Sequence, residues 1–110
     1  MKKQETKLKE KVLSALKLRF PNSWFCKIQQ VSINGTPDIL GCHCGAFVAI
    51  ELKTEDQGSK LSPIQIYELE RISKAAGFVW VIKNLGELDI MLKELVGLEQ
   101  KYNEYAKESA

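Results

Sequence analysis

The chain has 110 residues, which is enough for one domain and too few for two. Hydrophobic residues make up 45% and charged residues 27%, and the net charge of +2 neither demands nor excludes a nucleic-acid partner. No apolar run approaches the ~20 residues needed to cross a bilayer, and no apolar core follows the basic start MKKQETKLKEK. We therefore expect no membrane span, no secretory signal and a cytoplasmic location. The odd count of three cysteines argues against a disulfide framework.

Residues 4–20 have the period of an amphipathic helix, because apolar side chains recur every four positions at Leu8, Val12, Leu16 and Phe20. Residues 24–33 are rich in β-branched and aromatic side chains, which predicts a strand. The pair Asn34-Gly35 is typical of a turn.

A hairpin is predicted next, from strands at 38–42 and 46–53 joined by a turn at 43–45. The polar segment 54–60 reads as a loop. A helix then runs over 63–76 and ends at Gly77, with Ser62 as N-cap and Gln65 completing a capping box.

The last two predicted elements are a strand at 78–82 and a helix at 87–107. The strand FVWVI is apolar throughout, which favours a central place in the sheet. Gly97 is a candidate break in this segment, so we expect one or two helices there. The order is α-β-β-β-α-β with a C-terminal helix, which indicates an α/β (α+β) fold with a small mixed sheet.

Three charged side chains are expected to meet at one end of this hairpin. Asp38 and residues 50–51 are equidistant from the turn, and Glu51 and Lys53 share a strand face. Two carboxylates with the backbone carbonyl of Leu52 suit Mg²⁺ or Mn²⁺, and a lysine beside them suits phosphodiester hydrolysis. The alternative is a solvated ion pair, because E-x-K at the end of a surface strand is common.

The order of short motifs adds to this interpretation. Pro37-Asp38 followed by Glu51-Leu52-Lys53 resembles the PD-(D/E)xK nuclease signature. Four blocks in order are similar to the VRR-NUC branch of that superfamily: GTPDIL at 35–40, GAFVAIELK at 45–53, LSPIQ at 61–65 and AG at 76–77.

The resemblance implies a restriction-endonuclease-like core at about 5–90, with 91–110 as a helical extension of one domain over 1–110. It implies a divalent metal, Mg²⁺ or Mn²⁺, and cleavage of DNA, with Asp38 and Glu51 as metal ligands and Lys53 as the catalytic lysine. Stand-alone members occur in bacteriophages and bacteria, which implies a bacterial or phage-infected host cell. They are similar to Holliday-junction resolvases, which implies a homodimer acting on branched DNA.

Two further catalytic positions follow from the resemblance. The family has an acidic residue in its first helix, and Glu5 fits the apolar spacing better than Glu10 because Lys17 stands where Glu10 requires an apolar residue. The family also places a glutamine near the metal, which corresponds to Gln65. Both glutamates are alternatively explained as partners of lysines on a solvated face, and Gln65 is alternatively explained by the capping box.

The cluster Cys42-His43-Cys44 resembles a metal site but is predicted not to be one. Neighbouring strand residues point to opposite faces, so three adjacent side chains do not readily meet one ion, and zinc sites usually combine separated ligand pairs. We expect these residues to form the hairpin turn.

Phosphate contacts are predicted at Lys27, Gln29, Ser32 and Lys60, which lie near the active-site segments. Trp24 and Trp80 are assigned to the core or to a dimer interface. The sequence predicts a metal-dependent, structure-selective DNA endonuclease. A nonspecific or restriction-type nuclease, a catalytically silent DNA-binding module and a protein-interaction module remain alternatives.

Overall fold

The fold is seen in a computed structural model, which describes residues 4–29, 33–54 and 60–109. The described elements follow the predicted order and are α1 (Gln4–Arg19), β1 (Trp24–Lys27), β2 (Ile39–His43), β3 (Ala46–Leu52), α2 (Pro63–Lys74), β4 (Phe78–Ile82) and α3 (Leu85–Ser109). No helix in the described ranges combines the length and the apolar character that crossing a membrane requires.

The described strands form one mixed sheet in the order β1-β2-β3-β4. The pairs β1–β2 and β2–β3 are antiparallel, and β3–β4 is parallel. A parallel pair needs a crossover connection, and the chain between β3 and β4 contains α2. The predicted mixed α/β (α+β) architecture is therefore confirmed.

The hydrophobic core lies between one face of the sheet and the helices α1 and α3. Strand residues of alternating positions, such as Val48, Ile50 and Leu52, are almost fully buried there. Helix α1 contributes Leu8, Val12, Leu16 and its C-terminal neighbour Phe20, as its four-residue spacing predicts, and α3 contributes Leu88, Met91, Leu92 and Leu95. Residues 100–109 of α3 are all exposed.

The β2–β3 hairpin has a two-residue turn. Cys44 and Gly45 have φ angles of 52° and 81°, as a type I′ turn requires at its two central positions. His43 pairs with Ala46 and belongs to β2, so the turn begins one residue later than the sequence predicts.

The prediction that the strand at 78–82 is central is wrong, because β4 is an edge strand of the described sheet. Its apolar character has another cause: α2 and α3 both pack against it. Trp80, for example, donates its indole N–H to Glu94 of α3 over 2.9 Å.

Other details of the elements also differ from the prediction. Strand β1 ends at Lys27 and does not continue toward residue 33; the predicted residues 30–32 lie outside the described chain. Helix α2 ends at Lys74, and the left-handed residue after it is Ala76, with φ 70°, in place of Gly77. Helix α3 passes through Gly97 without a break.

Candidate active site

Asp38 and Leu52 connect the two strands of the hairpin at the end away from the turn. Ile39 pairs with Ile50, so the residue before β2 lies beside the last residues of β3. The backbone N–H of Leu52 donates to Oδ2 of Asp38 over 2.8 Å. Both backbone groups of a strand residue face the same neighbouring strand, so the carbonyl of Leu52 also faces the Asp38 side.

Glu51 is nearly inaccessible to solvent, with 3% of its surface exposed. Alternation directs it to the sheet face opposite the α1–α3 core, and there Nε2 of Gln65 in α2 donates to its Oε1 over 3.4 Å. Oε2 of Glu51 is buried and has no hydrogen-bond partner among the described residues. A buried carboxylate oxygen without a partner is costly, which makes this atom a natural position for a cation.

The electrostatic environment of Glu51 also favours a cation at this position. Burial first, and then a hydrogen bond with Asp38 and repulsion from Asp38, together raise the pKa of the Glu51 carboxyl to about 9. The charge of Glu5 also raises this pKa, while the ammonium of Lys53 lowers it. A site where Glu51 favours a proton also favours a cation, because either positive charge relieves the repulsion from Asp38.

Gln65 makes the contacts expected from both of its interpretations. Its side-chain Oε1 accepts from the backbone N–H of Ser62 over 2.8 Å. Its backbone N–H donates to the Ser62 hydroxyl over 3.3 Å, which completes the predicted capping box. The remaining side-chain N–H group reaches Glu51. The helix cap therefore fixes the side chain that orients the buried carboxylate.

Helix α1 brings two side chains to this site. Glu5 is near enough to influence the pKa of Glu51, whereas Glu10 is not among the groups that do so. Nζ of Lys9 lies 4.0 Å from Oδ1 of Asp38. Lys9 was not selected from the sequence, although its spacing of four residues from Glu5 puts both on one helix face.

The predicted phosphate-contacting residues lie further from the carboxylates. Lys27 and Gln29 are exposed at and just after the end of β1, and Lys27 pairs with Ile39 on the opposite sheet face from Glu51. Lys60 is exposed just before α2. Ser32 lies outside the described residues. The described contacts do not join Lys27, Gln29 or Lys60 to Asp38 or Glu51.

A comparison with solved structures identifies a relative of this fold. The chain is similar to a structure described as a VRR_NUC domain, with 26% sequence identity and a TM-score of 0.60. The similarity covers 76% of this chain and 92% of the other. This match supports membership of the VRR-NUC family.

The chain matches no protein-family model and no curated protein sequence, so structural similarity carries this assignment. The match confirms the predicted restriction-endonuclease-like architecture and indicates a nuclease of the PD-(D/E)xK type. VRR-NUC nucleases generally use divalent metals. In this chain the pair Asp38 and Glu51 has the oxygen ligands and the orphaned buried atom that suit such an ion.

Proposed function

We propose that this VRR-NUC domain is a divalent-metal-dependent endodeoxyribonuclease that hydrolyses phosphodiester bonds, with Mg²⁺ or Mn²⁺ as its cofactor. The observation that carries the proposal is the buried carboxylate of Glu51, whose Oε2 has no described partner and which lies against Asp38. A hard cation with oxygen ligands supplies the charge that this pair needs.

Asp38, Glu51 and the Leu52 carbonyl are the proposed ligands. Oδ2 of Asp38 accepts from the Leu52 N–H, and we assign Oδ1, which has Nζ of Lys9 at 4.0 Å, to the cation. When bound, the metal supplies charge neutralisation at the scissile phosphate and a lower pKa for a water molecule.

The chain's own side chains position the reaction. Lys53 directly follows β3 and its charge acts on Glu51, and we assign its ammonium to orienting the attacking water and to stabilising negative charge on the phosphate. Gln65 holds the Glu51 carboxylate in place, because its Nε2 donates to Oε1 of Glu51. Glu5 adds negative charge at the same edge and is assigned to water or metal positioning from α1.

The nature of the DNA is a further part of the proposal. We propose that branched DNA is the preferred substrate and that Lys27, Gln29, Ser32 and Lys60 contact its backbone. Exposed cations and amides suit this role because phosphate contacts position a duplex without reading its sequence.

A homodimer gives two active sites related by a two-fold axis, which suits symmetric cleavage of two strands. Trp24 supports self-association, because it is 62% exposed on a sheet face and does not belong to the core. Phe47 is 47% exposed, and its strand partner Cys42 also pairs with Trp24. We propose that this apolar patch meets a second copy, and Trp24→Lys should convert the dimer to a monomer in light scattering.

The decisive experiment measures nicking of a supercoiled plasmid and of a four-way junction with and without Mg²⁺. Asp38→Asn, Glu51→Gln and Lys53→Met should each lower the rate by about 100-fold or more, the scale of a lost catalytic charge. Glu5→Gln should lower the rate, and Glu10→Gln on the same helix is the matched control that should not. Full activity of the Asp38 and Glu51 variants would overturn the proposal.

The same experiment distinguishes the alternatives. Equal cleavage of plasmid and junction would indicate a nonspecific or restriction-type nuclease. Tight DNA binding without cleavage in any divalent metal would indicate a silent binding module.

A further inference from the structure

A second group of metal-ligand side chains lies at the other end of the hairpin. One ring nitrogen of His43, Sγ of Cys44 and a carboxylate oxygen of Glu99 all lie within 4.8 Å of one another. His43 is five positions after Asp38 along β2, and at about 3.3 Å per residue the two are roughly 17 Å apart. This group is therefore spatially separate from the proposed catalytic carboxylates.

The hairpin turn explains how neighbouring residues meet. In a regular strand, His43 and Cys44 would point to opposite faces. Cys44 has a φ of 52°, however, and this left-handed conformation ends the alternation. As expected, the three adjacent residues do not all meet, since Cys42 is outside the group. His43 and Cys44 do meet, and the third member is Glu99 on α3, which spacing alone did not suggest.

His43 is held in the tautomer that a metal ligand needs. Its Nε2 lies 2.8 Å from the carbonyl oxygen of Leu95. A carbonyl only accepts, so Nε2 carries the proton and Nδ1 carries the lone pair of the neutral ring. Nδ1 lies 2.6 Å from the hydroxyl of Ser23. Metal-binding histidines characteristically donate their other N–H to a backbone carbonyl or carboxylate, as His43 does.

A cavity gives an ion access to the group. Its volume is about 640 Å³, and its lining includes Ser23, Cys44 and Glu99. His43 itself is fully buried, with its ring edge against Phe20 at a centroid distance of 4.7 Å. The imidazole is thus shielded from solvent, while Cys44 and Glu99 line the cavity.

We propose that His43, Cys44 and Glu99 bind a zinc-type divalent ion, with Nδ1, Sγ and a carboxylate oxygen as ligands and the fourth position open to the cavity. Nitrogen, sulfur and oxygen ligands in a tetrahedral set suit Zn²⁺, and the thiolate selects against Mg²⁺. The Ser23 hydroxyl gives up its bond to Nδ1 when the ion binds. The bound ion would link the hairpin turn to α3, two parts of the chain that are 55 residues apart in sequence, and this role does not depend on the nuclease proposal.

Cadmium is the best probe, because a cadmium–thiolate bond gives an ultraviolet charge-transfer band that carboxylate sites do not produce. Titration of the full, reduced chain with Cd²⁺ should give one such band that saturates at one ion per chain. Cys44→Ser should abolish the band, and Glu99→Gln should weaken binding by about tenfold or more. Cys26→Ser is the matched control, since this thiol on β1 is outside the group and its removal should leave the titration unchanged.

Zn²⁺ provides the second measurement. It should raise the melting temperature of the wild type and of the Cys26→Ser variant, and the rise should be absent in Cys44→Ser. A band that survives in Cys44→Ser, or an unchanged affinity in Glu99→Gln, would overturn the site. Circular dichroism of each metal-free variant separates loss of the site from loss of the fold. A folded wild type that gives no Cd²⁺ band would also overturn the proposed site. Because thiolate absorption is the readout, a failed nuclease assay leaves this result intact.

Discussion

The backbone N–H of Leu52 donates to Oδ2 of Asp38 across 2.8 Å, and this bond joins the start of β2 to the end of β3. The carboxylate that is proposed to bind metal therefore also satisfies a backbone donor in the folded chain. Lys9 lies 4.0 Å from the other oxygen, Oδ1, so each oxygen of Asp38 has a positively polarised neighbour. Structural and catalytic roles meet at this residue, which makes the choice of substitution important.

Asp38→Ala should lower the free energy of unfolding by about 1–3 kcal/mol, because the half-buried Leu52 N–H loses its acceptor. Asp38→Asn retains an acceptor oxygen and should therefore lower the free energy of unfolding clearly less than Asp38→Ala does. Urea denaturation of both variants without divalent metal measures the difference. Equal losses in the two variants would show that the hydrogen bond to Leu52 does not stabilise the fold.

The pH dependence of stability should be unusual for an acidic residue. The pKa of Glu51 rises from an ordinary 4.5 to about 9 in the folded chain, so the native state holds a proton that the unfolded state releases. The resulting stabilisation is complete below about pH 4.5 and is lost as the pH rises to about 9. With a chelator present, the wild type should therefore lose stability relative to Glu51→Gln over this interval. Parallel curves for the two proteins would contradict a raised pKa at Glu51.

Gln65→Glu should separate the two contacts of this residue. The new carboxylate retains an acceptor for the Ser62 N–H but replaces the donor to Glu51 with a negative charge. The pKa of Glu51 should rise further, since a like charge disfavours its ionised form. Carboxyl NMR of the metal-free chain measures this shift.

Ser62→Ala is the control for the cap alone. It should cost about 0.5–2 kcal/mol of stability and leave the titration of Glu51 close to that of the wild type. If Ser62→Ala moves the pKa of Glu51 as far as Gln65→Glu does, the cap and the carboxylate contact act as one unit.

Gly35 and Gly45 allow backbone strain to be separated from crowding. Both have a φ of 81°, so alanine at either position carries the same left-handed penalty of about 1–2 kcal/mol. A Cβ at Gly45 meets nothing within 4 Å, whereas one at Gly35 would lie 2.7 Å from the carbonyl oxygen of Ile64 in α2. Gly35→Ala should therefore be more destabilising than Gly45→Ala by about 1–3 kcal/mol in thermal or urea unfolding. Equal destabilisation by the two variants would mean that the loop before Pro37 shifts to relieve the clash without affecting α2.

The elements with strong local signals could be predicted from the sequence. The four-residue spacing of Leu8, Val12 and Leu16 gives α1, and the Ser62–Gln65 box gives the start of α2, because both signals act within one helical turn. The convergence of Asp38 with Glu51 also follows from local counting, since a short hairpin fixes its own register.

Other features depended on contacts between segments that are distant in the chain. The edge position of β4 was missed because helices on both sides make a strand as apolar as a central one would be. Lys9 reaches Asp38, and Glu99 reaches the hairpin turn, through packing of α1 and α3 that no local spacing encodes.

The sequence by itself determined the order of helices and strands, the hairpin and the residue types of the carboxylate site, because periodicity, caps and turns are local properties of the chain. Only the tertiary structure decided how deeply Glu51 is buried, which groups surround it and where Cys44 points. These depend on long-range packing and on a single left-handed φ angle, which set the dielectric environment and the side-chain directions that chemistry requires.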